Sequence, residues 1–425
     1  MGGHRTSSWS PSTLWHRPAS PEPLVSEPMA WTRGLCALVA TSGMLLACSS
    51  PKQEPAAAPA DPAITAAPVS AAPAVPLKAP VPLAPGAAAC GQGAALLSEM
   101  TTRDKLAQLL MVGVSGAADA RAVVDNHRIG GIMIGSWTDL SMMGAPLAEI
   151  AASAGPLPLA VSVDEEGGRV SRLASLIGSQ PSARALAQSS TPDQVYGIAL
   201  ERGRAMRGLG VTIDFAPVVD VTGASAAIGD RSFGDDPATV TEYAGAYARG
   251  LRDAGVLPVL KHFPGHGNAS GDSHTEGVVT PPLSELQNSD LVPYRTLTAQ
   301  APVGVMVGHM QVPGLTGSDP ASLSPAAYQL LRSGGYGGPG FNGPVFTDDI
   351  SSMRAITDRY GVADAALRAL QAGADTALWV TTAEVPAVLD RLEQAVGSGE
   401  LTMPRVDQSV LRVAAMKGPN PRCGG

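Results

Sequence analysis

Eight short apolar runs recur along the chain, separated by longer stretches whose apolar positions often fall three and four apart. They are Leu109–Val114, Gly130–Gly135, Leu159–Asp164, Val211–Ala216, Val256–His262, Val303–His309, Gly343–Asp348 and Asp375–Val380. Near-continuous Val, Ile and Leu suit strands covered on both faces, as in a parallel sheet. Between the runs, Ala238–Ala254 and Val385–Val396 read as amphipathic helices. Eight β/α units in about 330 residues predict an α/β fold, a single (β/α)8 TIM-type barrel. An open doubly wound sheet is the alternative, but no Gly-x-Gly-x-x-Gly follows any run.

Polar residues gather where these runs end: Asp164, Asp214, Lys261 with His262, His309 and Asp348. The C-terminal ends of barrel strands form the catalytic face of this fold, so one set of loops is expected to carry the chemistry.

The first ninety positions follow a different pattern. Residues 1–28 show no periodicity, and then Arg33 precedes an apolar stretch, Gly34–Ala47, that ends at Cys48. About 14 residues are too few to span a bilayer as a helix and fit the core of a signal peptide. Leu45-Leu46-Ala47-Cys48 resembles a bacterial lipobox, which would make Cys48 the acylated first residue of an exported protein. A plain secretory signal or a buried apolar helix are the other readings. The Pro/Ala-rich residues after Cys48 cannot bury enough apolar surface to fold and read as a tether. The expected organisation is therefore 1–47 signal region (Met29 an alternative start), 48–89 tether and 90–425 catalytic domain.

With Cys36 inside the signal region and Cys48 at the lipid site, two of the four cysteines remain, Cys90 just before the folded part and Cys423 just after it. An exported chain can hold a disulfide, and a closed barrel brings its first and last elements together, so a Cys90–Cys423 bridge is expected. The net charge is −8 and no basic cluster appears, which argues against a nucleic-acid partner. A monomer is the default.

The densest chemistry lies in Lys261-His262-Phe263-Pro264-Gly265-His266-Gly267, followed by Asp272-Ser273-His274. Four of the seven histidines fall between 261 and 310. Zinc bound by His262, His266 and His274 is one reading of such a cluster. The Gly/Pro-rich spacing instead suits a bent loop, so no metal and no cofactor are expected.

This loop resembles the signature of the β-N-acetylglucosaminidase branch of glycoside hydrolase family 3. Asp164-Glu165-Glu166-Gly167-Gly168-Arg169-Val170-Ser171-Arg172, Asp214–Val221, Arg231-Ser232-Phe233-Gly234 and Phe346-Thr347-Asp348-Asp349-Ile350 resemble four further segments of that family, in the same order. The resemblance implies that Asp348 is the nucleophile of a retaining glycosidase, with Asp349 a supporting neighbour or a helix N-cap. His274 would replace the usual carboxylic acid as general acid/base, since an imidazole can carry and return a proton at neutral pH. Asp272 would orient it. Asp164, Arg172, Arg231, Lys261 and His262 would bind the terminal sugar, unless they form an internal ion-pair network at the barrel mouth. His309 is open between a structural and a functional role.

The implied activity is release of GlcNAc from peptidoglycan (muropeptide) fragments at the outer face of the cytoplasmic membrane. A phosphorylase using the same site, a metal-dependent barrel hydrolase and a non-catalytic wall-binding lipoprotein are the competing readings.

Overall fold

The computed structural model describes residues 88–223, 226–271 and 277–423. The signal and tether segments with Cys48, and the pair Asp272 and His274, lie outside the described residues. Among the described helices none is long and apolar enough to cross a membrane.

Every apolar run coincides with a barrel strand, β5 and β7 extending one residue past their runs: β1 Leu110–Val114, β2 Gly131–Ile134, β3 Ala160–Val163, β4 Ile213–Asp214, β5 Leu257–Phe263, β6 Gly304–Val307, β7 Val345–Asp349 and β8 Thr376–Trp379. Each pairs in parallel with its sequence neighbours, and β8 closes on β1 through Leu110–Ala377 and Val112–Trp379. The chain therefore folds as a (β/α)8 barrel. The two amphipathic stretches are helices Pro237–Asp253 and Val385–Ser398.

Alternation along each strand splits the core in two. Leu110, Val112 and Val114 join the large apolar layer under the helices, whereas Met111 joins an inner cluster with Met133, Ile213, Phe215, Val259, Met306, Phe346 and Leu378. Both faces are dry, which is why the runs read as continuous rather than alternating. Small residues compensate for large ones inside: a Cβ on Gly304 would stand 3.0 Å from the Phe346 ring. Phe346 in turn meets Phe215 edge-on at 5.6 Å. Each such side chain contributes about 1.5–3 kcal/mol of burial.

At the end opposite the strand tips the chain closes on itself. Ala89 N and Asn420 Nδ2 both donate to the Pro156 carbonyl, at 2.9 and 3.1 Å. Cys90 and Cys423 are joined by a disulfide across 333 residues.

Candidate active site

The loop after β3 turns at once into a hairpin, Glu165–Gly167 against Val170–Ser171. Gly167, at the end of its first strand, and Gly168, in its turn, hold φ of 88° and 57°, where a side chain would be strained. A Cβ on either would also strike the segment at 181–182 within 2.6 Å. The hairpin is anchored from below by Glu165. This buried carboxylate pairs with Arg202 of helix Pro192–Gly208 and accepts from the backbone N–H groups of Arg172 and Leu173, both at 2.7 Å. Arg169 ties the hairpin sideways to the loop after β4, through Asp230 at 2.9 Å.

The hairpin walls a cavity of about 180 Å³ at the strand tips, lined by Asp164, Glu166, Arg172, Arg231, Lys261, His262, His266 and Asp348 among others. Six expected site residues, Asp164, Arg172, Arg231, Lys261, His262 and Asp348, thus stand around one space. Four of them also belong to a bonded network. Lys261 Nζ lies 2.5 Å from Asp164 Oδ1 and 2.6 Å from Glu166 Oε1. Arg231 grips Glu166 with two parallel bonds of 2.7 Å. Arg231 Nη2 also approaches His262 Nε2, at 3.5 Å. The ion-pair network therefore lines the cavity itself.

Glu166 is its hub. Burial pushes this carboxyl up, but the Arg231 guanidinium and the Lys261 ammonium outweigh that and hold it far below the usual range. For Lys261, burial favours loss of the proton, yet Asp164 and Glu166 raise its pKa overall. Both cations stay charged with donors left for a ligand. Arg172 differs: it forms no ion pair among the described residues, and its buried Nε has no hydrogen-bond partner there.

His262 is set by a residue that sequence reasoning passed over. Asp220 accepts from its ring Nδ1 at 2.7 Å and from the backbone N–H groups of His262 and His266, at 3.2 and 2.8 Å. Nε2 is left facing the cavity. A second buried carboxyl, Asp290, accepts from Val221 N and Gly267 N at 3.2 and 3.1 Å and so fastens the base of the histidine loop. Burial and the neighbouring Asp220 charge push Asp290 up to about 7. Asp220 lay inside the Asp214–Val221 segment and Asp290 outside every motif, and neither role could be read, because their partners are backbone groups and an imidazole from distant segments.

Asp348 occupies the penultimate position of β7, half-buried, with Oδ1 accepting from Asp349 N at 2.9 Å. Burial alone would raise its pKa; His262, His309, that N–H and Lys261 more than reverse this and keep it ionised. Asp349 points away from the cavity and holds the turn that follows, accepting from Ser351 N and Oγ, each at 2.8 Å. It caps a turn rather than a helix, since the next helix begins at Arg354 with Met353 at its cap position. His309 is a positioning residue. Its Nε2 donates to the Asp349 carbonyl at 2.7 Å and its Nδ1 accepts from Ser322 Oγ at 2.6 Å. Burial lowers its pKa and favours this neutral form. Asp214 does not line the cavity: it accepts from Glu165 N at 3.0 Å, and burial drives its pKa well up.

Among the described residues no group of three His, Cys, Asp or Glu side chains is placed to share a metal ion. Of the three histidines considered for that role, His274 is outside them.

A family-wide profile, glycosyl hydrolase family 3 N-terminal domain, matches residues 101–416. The chain is 64% identical over 400 residues to the β-hexosaminidase LpqI of Mycobacterium tuberculosis, covering 93% of this chain and all of that one. A crystal structure of a family 3 glycosyl hydrolase from Mycobacterium smegmatis is 78% identical and superposes with a TM-score of 0.75, over 76% of this chain and 98% of that one. A family 3 β-N-acetylglucosaminidase from a Paenibacillus strain is 34% identical with a TM-score of 0.70, over 75% of this chain and 62% of that one.

Proposed function

The chain belongs to glycosyl hydrolase family 3 and is a glycosidase of the β-hexosaminidase kind, and on that footing we propose that it is a retaining exo-β-N-acetylglucosaminidase acting on peptidoglycan fragments. The observation that carries this reading is Asp348: an ionised carboxylate facing a sugar-sized cavity whose other walls offer Arg231, Lys261 and Arg172 as donors and Asp164 as acceptor, beside the His262 ring. Such a set suits the hydroxyl and acetamide oxygens of one terminal residue. Asp348 attacks the anomeric carbon, expelling the aglycone oxygen and forming a glycosyl ester that water then resolves. His274 delivers the proton to the leaving oxygen and later takes one from water, with Asp272 fixing its ring. An exported lipoprotein, acylated at Cys48, would meet such fragments beside the wall, and its reaction requires no cofactor.

Release of nitrophenol from its β-GlcNAc glycoside, compared with the β-glucoside, tests the sugar specificity. Mass spectrometry of wild type and Asp348→Asn with a slow fluorinated substrate tests the covalent step. The assignment fails if the adduct forms elsewhere or the variant keeps activity within a few-fold. His274→Ala activity within a few-fold of wild type would remove the imidazole from its role. Free GlcNAc with and without phosphate separates hydrolysis from phosphorolysis. Loss of the acyl group and membrane association in Cys48→Ala tests the anchor.

A further inference from the structure

The cavity takes its walls from β3, β5, β7 and the loop after β4; the arc of the rim from β8 through β1 to β2 supplies none. One large apolar side chain stands on that arc. Trp137, in the turn after β2, is 46% exposed, more than any other large hydrophobic residue described. Its exposure does not come with looseness. Thr138 beside it is buried, donating to the Val114 carbonyl at 2.7 Å and accepting from Gly135 N at 3.0 Å, while Thr138 N returns to the Gly135 carbonyl at 3.2 Å.

Two glycines form a seat for the indole. A Cβ on Gly135 would lie 2.3–2.5 Å from three consecutive atoms of its six-membered ring. Near-equal distances to three adjacent ring atoms place Gly135 against the face of the ring, since an edge approach would single out one atom. A Cβ on Gly113 of β1 would stand 2.7 Å from the same ring and 2.5 Å from the Val380 carbonyl. Val380 N in turn donates to Ser351 Oγ, at 3.1 Å, in the turn that Asp349 holds behind Asp348. One ring face is thus pressed on backbone and the other is offered to solvent. Around the rim, β1 lies two strand spacings from β7, about 10 Å.

We propose that Trp137 is the platform on which the sugar on the leaving-group side of the scissile bond stacks its apolar face, so that it sets the preference for a saccharide aglycone. The proposal rests on the β-N-acetylglucosaminidase reading above. A flat, held aromatic surface suits a pyranose ring, whose C–H face is apolar and whose rim of hydroxyls stays wet. It acts on the glycosylation step alone, because the aglycone has left before water attacks.

The test compares kcat/KM for a β-1,4-linked GlcNAc disaccharide with that for methyl β-GlcNAc, in wild type, Trp137→Ala and Trp137→Tyr. The disaccharide-to-methyl ratio is expected to fall about tenfold in the alanine variant and to stay within about threefold in the tyrosine variant. An unchanged ratio in Trp137→Ala, or equal loss on both substrates, overturns the platform. If wild type turns over neither substrate, the reading of the activity falls on its own. Calorimetry then decides the platform: the disaccharide must bind wild type at least about fivefold more tightly than Trp137→Ala, and equal affinities refute it.

Discussion

Replacing Glu166 by Gln would separate the two things its carboxylate does. The side chain is 3% exposed and holds three bonds, two from Arg231 and one from Lys261. A glutamine keeps the shape and one acceptor, and turns an NH2 group toward a cation. Arg231 then has no carboxylate partner, while Lys261 keeps Asp164. Breaking a buried pair by removing one partner costs about 3–5 kcal/mol, because the charge left behind stays desolvated. For a domain of this size about 2 °C per kcal/mol is expected, so the melting temperature should fall by about 6–10 °C. Two sugar donors lose their fixed positions together, and kcat/KM should drop about a hundredfold. The folded carboxyl is depressed below its ordinary 4.5, so the contribution is full above that pH and declines as the pH falls below it. The double variant Glu166→Gln/Arg231→Gln removes the orphaned cation; it should regain about half the lost melting temperature and none of the activity. A single variant melting within 1–2 °C of wild type, or a double variant less stable than the single, would refute the view of Glu166 as the charge hub.

Three further outcomes follow from the same geometry. Asp220→Asn gives one side-chain oxygen for two backbone N–H groups and an imidazole, so kcat/KM should fall about tenfold to a hundredfold with the fold intact by circular dichroism; wild-type kinetics would deny His262 its orienting partner. Asp290→Asn keeps an acceptor for Val221 and Gly267. Because the folded carboxyl is raised to about 7 from 3.8, wild type loses stability relative to the variant as pH rises through that window, and the gap levels off above it; parallel melting curves from pH 4 to 8 would contradict the shift. The pair Cys90→Ser/Cys423→Ser releases a 333-residue constraint, which the chain-entropy argument puts at up to about 6 kcal/mol. Its melting temperature should drop to that of the reduced wild type, while activity at 25 °C stays within twofold because the bridge lies at the far end of the barrel from the cavity.

Legibility followed the range of the interactions. The strands could be read because both of their faces are buried, and burial leaves a local mark: in each run the residue types themselves announce it. The site residues on strand tips, Asp164, Lys261, His262 and Asp348, could be placed because a polar residue closing an apolar run has one destination in a barrel. Ile213–Asp214 shows the boundary. A six-residue run, Val211–Ala216, forms only two residues of strand, because pairing depends on what the neighbours offer. The tight hairpin at 165–171 was hidden inside a motif. Its glycines were visible as Gly167-Gly168, yet nothing local fixed the strands on either side.

The amino-acid order by itself determined the barrel and the face that bears the chemistry, since each depends on periodicity or on position within a run, whereas the role expected of Asp348 came from the family resemblance. Only the folded chain decided who serves whom. Glu166 and Asp220 have no partners nearby in sequence, and become hub and orienter because the hairpin after β3, the loop after β4 and β5 are brought together. His309 is read as support rather than chemistry for the same reason: both of its ring nitrogens meet groups 13 and 40 residues away. Trp137 carries no signal in the sequence and is seated only by the fold, because the glycines beneath its ring, Gly113 on β1 and Gly135 just past β2, come from neighbouring strand tips. Contacts that cross the barrel carry no signature along the chain, and closure of the sheet alone creates them.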